Sequence, residues 1–120
     1  MNKIRTARVE SAIKREIATA ILLEVKDPRI GFVSVTGVSL TKDYKIAHVF
    51  VSIMGDEKAK KKSLAGLKAG AGFFRHYIGE NVRLQFTPEI IFEIDTTLDE
   101  RARIDGLLQQ IEESNKHERP

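Results

Sequence analysis

Between residues 66 and 79 the sequence reads GLKAGAGFFRHYIG, four glycines set among cations. Lys68 precedes the triplet Gly70-Ala71-Gly72, and Arg75 and His76 follow it. Lys58, Lys60, Lys61 and Lys62 lead in from the N-terminal side. Glycine costs about 1 kcal/mol relative to alanine in a helix interior, so the closely spaced pair marks a break between two helical pieces. At such a break the first N–H groups of the second piece have no intrahelical acceptor. Together with the helix dipole they attract phosphate. The chemistry on offer is recognition of a polyanion. Close packing of small residues, Gly66 and Gly70 one turn apart, is the competing explanation of the same glycines.

Bond-making chemistry has little support. His48, His76 and His117 fall on different elements, and none is paired at i, i+4 with a second histidine. Glu93 and Asp95 share a strand face and could do acid–base work, but solvent-facing acids on a strand explain them as well. There is no Gly-x-Ser-x-Gly elbow, no phosphate loop ending in Gly-Lys-Ser/Thr and no cysteine. The expectation is a protein that is not an enzyme and needs no metal or cofactor.

Charge is segregated along the chain. The net +3 hides a block at 58–85 with seven basic residues and one acid, and a C-terminal block at 86–120 with four basic residues and nine acids. Residues 1–26 add six basic residues against three acids. Such a distribution favours a polyanionic partner.

The elements that must position these residues follow from periodicity. Val9, Ala12, Ile13, Ile17, Ala20 and Ile21 form the stripe of a helix over 4–25, stopped by Asp27-Pro28. GFVSVTGVSL (31–40) and IAHVFVSIM (46–54) alternate as strands of a hairpin, with Gly37 breaking the phase as a bulge would. Asp56 is placed to cap a helix that ends at the glycines. A second helical piece carries Phe74, Tyr77 and Ile78 and ends at Gly79 as its C-cap. A third strand spans 90–95, and Thr97 with Glu100 opens a final helix bearing Ile104, Leu107, Leu108 and Ile111. The fold expected is α+β, a three-stranded sheet covered on one face by helices. It forms a single domain over 1–114 with a flexible tail at 115–120. Phe32, Phe50, Phe73, Phe74, Phe86 and Phe92 are assigned to its core rather than to a base-stacking platform. No apolar run approaches a membrane span and no signal peptide is evident, which points to the cytoplasm.

The order α-β-β-α-α-β with a helix–kink–helix resembles the type II KH domain, an RNA-binding fold. Within it the chain is similar to the ribosome-binding factor A family over roughly residues 5 to 111. The resemblance rests on RTARV (5–9), EVKDPRIGFVSVTGVSLTKDYKIAHVFVS (24–52), GFFRHYIG (72–79) and VRLQFTPEIIFEID (82–95). The family carries a kink of the form Ala-x-Gly. Here Gly70 stands where that alanine is expected, and Gln85 where a basic residue is expected.

The resemblance implies a role in ribosome biogenesis. The partners would be 16S rRNA and the free 30S small subunit or its precursor. The activity would be support of late maturation and 5′-end processing of 16S rRNA, most needed in the cold, with assembly GTPases acting nearby. A monomer is expected. Lys60, Lys61, Lys62 and Lys68 are the candidate phosphate contacts, with Arg75 and His76 beside the kink formed by Gly70, Ala71 and Gly72. Arg5, Arg8 and Arg83 match family positions as secondary contacts. The alternative is a non-catalytic adaptor that uses the acidic C-terminal segment on a basic protein.

Overall fold

The computed structural model describes residues 3–97. The expected C-terminal helix and the tail at 115–120 lie outside the described residues. The element order is α1 (Lys3–Leu23), β1 (Val33–Leu40), β2 (Ile46–Ile53), α2 (Glu57–Ala69), α3 (Ala71–Asn81) and β3 (Glu89–Ile94). This is the α-β-β-α-α-β order expected for the KH-like fold.

The strands form one sheet in the order β1-β2-β3. β1 and β2 pair antiparallel; β2 and β3 pair parallel, with α2 and α3 as the crossover. The strict alternation in β2 buries Ala47, Val49, Val51 and Ile53 on the helix-covered face. Val33, Val35, Val38 and Leu40 lie opposite them on β1. The register shifts between Val35 and Gly37, so the expected bulge is present and Thr36 is its extra residue. Without it, Val38 and Leu40 would turn to the wrong face.

Helices close the other side of the core. Ile13, Ile17 and Ala20 of α1, Leu67 of α2, and Phe74 and Ile78 of α3 meet Ile90 and Phe92 of β3. The rings of Phe74 and Phe92 stack edge to face, centroids 5.1 Å apart. α1 stops at Leu23, ahead of Asp27-Pro28. There the N–H groups of Glu24 and Val25 both donate to Ala20 O, at 2.9 and 3.1 Å. Ser63, buried in α2, accepts the Gly31 N–H at 3.0 Å and donates to Arg29 O at 3.3 Å, which satisfies it.

Two expectations are corrected. Gly79 is not a C-cap: α3 runs on to Asn81 and its cap is Val82. The lack of a side chain at Gly79 serves close approach instead, because a Cβ there would lie 3.0 Å from Thr87 Oγ1. The phenylalanines also divide. Phe74 and Phe92 are core and Phe50 is half-buried, but Phe32, Phe73 and Phe86 are exposed. The latter three sit at loops and at the outer side of α3, positions that hydrophobicity alone does not reveal.

Candidate nucleic-acid interface

α2 begins at Asp56, whose carboxylate accepts the Ala59 N–H at 2.8 Å. Burial of Ser63, Gly66 and Leu67 fixes which way the helix faces. Its outer side carries Lys58, Lys61, Lys62 and Lys68, all exposed, while Lys60 is half-buried at the edge. None of these lysines takes part in an ion pair among the described residues. Five ammonium groups on one helix form a strip of positive potential.

The strip runs into the kink. α2 ends at Ala69 and α3 begins at Ala71, with Gly70 between them at φ −88° and ψ 7°. The Gly70 N–H still closes onto Gly66 O and Leu67 O, each at 3.1 Å, whereas the new ladder starts with Phe74 N–H to Gly70 O at 3.0 Å. Among the described residues no side chain caps α3. The N–H groups of Ala71, Gly72 and Phe73 are therefore its unclaimed donors. Gly72 is exposed, and a Cβ there would meet nothing within 4 Å. Gly70 is tighter: a Cβ would stand 3.3 Å from the Phe74 ring.

Gly66 serves the packing explanation. A Cβ there would come within 2.8 Å of Ile30 Cγ1, so α2 rests directly on the segment before β1. That segment and the kink enclose a cleft of about 340 Å³ with Lys26, Arg29, Gly70 and Phe73 among its walls. Asp27 at its edge is neutralised: Arg29 Nη2 lies 2.7 Å from its Oδ2 and the Arg29 N–H 2.9 Å from its Oδ1. The side-chain hydrogen bond from Arg29 holds the Asp27 carboxyl below its ordinary value.

The arginines assemble elsewhere. Helical spacing puts Gly72, Arg75, His76 and Gly79 on one side of α3. Arg75 reaches away from the kink and donates to Thr87 O at 3.3 Å. It lines an open groove of about 940 Å³ together with Arg5, Arg83, Lys42, Lys45 and Phe86. His76 instead pairs with Glu80 one turn on, Nε2 to Oε1 2.8 Å. Arg8 lies on a different side of α1, in a shallow depression with Arg15. The structure thus brings Arg5, Arg75 and Arg83 together and sets Lys61, Lys62 and Lys68 along a separate approach to the kink.

The sequence marks Lys42, Tyr44 and Lys45 only as part of a turn. Tyr44 adopts φ 60°, unusual for a residue with a side chain. Its hydroxyl is 2.5 Å from Thr6 Oγ1, which ties the β1–β2 turn to the start of α1. Asp43 accepts the Thr41 hydroxyl at 2.7 Å and the Lys45 N–H at 3.1 Å. The Thr41 hydroxyl is the first cause of its lowered carboxyl. A tyrosine within a run of charges is the one hint the sequence offers of this second cationic cluster. Among the described residues no cluster of three His, Cys, Asp or Glu could hold a metal ion, and no helix is long and apolar enough to cross a membrane.

Known proteins share this fold. The crystal structure of ribosome-binding factor A from Thermus thermophilus superposes with a TM-score of 0.67 at 26% identity, covering 74% of this chain and 93% of that one. A homology model of the Thermus thermophilus factor, fitted into the cryo-EM map of a 30S complex with it, gives a TM-score of 0.63 at 26% identity, covering 75% and 94%. Ribosome-binding factor A of Halothermothrix orenii is 45% identical over 119 residues, 99% of this chain and 98% of that protein. The family profile described as ribosome-binding factor A matches residues 5–108. By sequence over nearly its whole length, and by fold over about three quarters of it, this chain belongs to the ribosome-binding factor A family.

Proposed function

We propose that the protein is an RNA-binding assembly factor of the small ribosomal subunit. It associates in the cytoplasm, as a monomer, with free or precursor 30S particles through 16S rRNA. Its role is support of late maturation and 5′-end processing of that RNA, with greatest need in the cold and with assembly GTPases acting nearby. It performs no catalytic step. The 30S complex known for the Thermus thermophilus factor supports the choice of particle.

The observation that carries the proposal is the lysine strip on α2, without an ion pair among the described residues, running into the start of α3. Cations on one helix face, backbone N–H groups and the open space above Gly72 suit phosphate contacts that carry no base code. Lys60, Lys61, Lys62, Lys68 and the Gly70-Ala71-Gly72 kink are assigned to this contact. Arg5, Arg8, Arg75, His76 and Arg83 are assigned to flanking RNA.

Sedimentation of the tagged protein in a cell extract tests it. Association with free small subunits and not with complete ribosomes is the expected result. An equal spread across all ribosomal fractions would reject an assembly role.

A further inference from the structure

Phe86 is 77% exposed. A single exposed apolar side chain is ordinary on a protein surface. The surroundings of Phe86 are not. It lines the 940 Å³ groove with Arg5, Lys42, Lys45, Arg75 and Arg83, which come from α1, the β1–β2 turn, α3 and the loop before β3. Only two carboxylates, Asp43 and Glu89, share the lining, and Asp43 is engaged by Thr41 and by the Lys45 N–H. The volume falls within the range of sites that enclose small ligands, about 300–1,000 Å³.

The loop that presents Phe86 is held at both ends. Val82 N–H donates to Ile78 O at 2.8 Å and Glu89 N–H to Lys45 O at 2.8 Å, while Arg75 holds Thr87 O and Pro88 is fully buried. An aromatic ring on a loop held at both ends, beside a net positive groove, combines the two parts of single-strand recognition, a stacking surface and a cationic track for the backbone. A duplex offers the phosphates without a free base face, and an acidic peptide offers the charge without the ring.

We propose that this groove is a second RNA site, distinct from the α2 strip and the kink, which takes an unpaired stretch of RNA. One base stacks on Phe86, and its phosphates lie against Lys42, Lys45, Arg75 and Arg83. The assignment rests on the RNA-binding function proposed above and names the form of RNA recognised.

Fluorescence anisotropy with the full chain tests it, using a labelled single-stranded eight-nucleotide RNA and the duplex of the same sequence. Phe86→Ala weakens single-strand binding about 5- to 150-fold, the range for one lost base–aromatic stack, and leaves duplex binding within about twofold. Phe86→Tyr retains single-strand binding, whereas Phe86→Leu behaves like Phe86→Ala. Lys42→Ala with Lys45→Ala steepens the loss. The exposed position keeps these variants folded, which an unchanged thermal melt checks.

Single-strand binding by Phe86→Leu equal to wild type, or an equal loss on both RNAs, overturns the proposal. So does a glutamate-rich peptide that binds in a Lys42- and Lys45-dependent way while the single strand does not. If these variants act like wild type while Lys61→Ala with Lys62→Ala still weakens RNA binding, the groove assignment alone falls. If the wild-type protein binds neither RNA nor free small subunits, the functional proposal falls with it.

Discussion

Thr36 and Asp95 sit on opposite sides of the central strand, and the Thr36 hydroxyl donates to Asp95 Oδ2 at 2.5 Å across β2. The bulge makes this possible. Thr36 is the residue left without a partner in the β1–β2 register, so its side chain is free to span to the end of β3.

That bond sets a pH dependence. The Thr36 hydroxyl, followed by Thr97, holds the Asp95 carboxyl below its ordinary value of 3.8. A carboxylate depressed in the folded state adds stability above its unfolded value and loses it as pH falls through the folded value. Thr36→Val therefore lowers the melting temperature at pH 7, and the gap to wild type closes as pH drops below 3.8. Thermal melts across that range read it. An equal gap at neutral and acid pH would mean that the hydroxyl acts through packing of the bulge.

The glycines divide by what surrounds them. Gly66→Ala drives a methyl to 2.8 Å from Ile30 Cγ1 and 3.3 Å from Asp27 Oδ2, and it destabilises by about 1–3 kcal/mol. Gly72→Ala meets open space within a helix and stabilises by about 0.5–1 kcal/mol. Gly70→Ala restores the residue expected in the family. It asks only that the Phe74 ring, 3.3 Å away, give slightly, so the change is within about 1 kcal/mol of neutral. Urea titrations separate the three. A neutral Gly66→Ala would contradict the close packing of α2.

Phosphate contact by the α2 strip has a signature in salt. Each lost contact lowers the slope of log K against log salt by about 0.7 on single-stranded RNA. Lys61→Ala, Lys62→Ala and Lys68→Ala together reduce it by about 2. Half-buried Lys60 contributes less than any of these exposed lysines when changed alone. Affinity that does not vary between low and high salt would remove the phosphate-led mechanism.

Phe74→Ala removes the ring that stacks on Phe92 in the centre of the core. The loss is about 3–5 kcal/mol, a large part of the roughly 5–15 kcal/mol that holds a typical domain together. Chemical denaturation measures it. Phe73→Ala, at an exposed neighbouring position, costs far less, and equal losses would contradict the direction α3 faces.

Much of the fold was legible because local patterns carried it. The alternation of Ala47, Val49, Val51 and Ile53 and the spacing of Ile13, Ile17 and Ala20 each encode a buried face directly. Gly37 gave away the bulge, and the Gly70-Ala71-Gly72 triplet the break between helices. Gly79 misled because a glycine near the end of an apolar stripe is the usual sign of a cap. Its contact, Thr87, lies beyond the helix. The groove was illegible for a similar reason. Arg5, Lys42, Lys45, Arg75 and Phe86 come from four separate segments, and only the parallel pairing of β2 with β3 brings the β1–β2 turn beside the loop before β3. No short-range pattern reports that neighbourhood.

The clamped loop at 82–88 has a thermodynamic consequence. Its residues give up their conformational freedom when the chain folds, because Ile78, Lys45 and Arg75 fix its ends and Pro88 is fully buried. A ligand entering the groove meets a rim already in place, so ordering that rim takes nothing from its affinity. Gly79 is the small omission behind this arrangement: a methyl there would crowd Thr87 at 3.0 Å and move the rim away from the helix that steadies it.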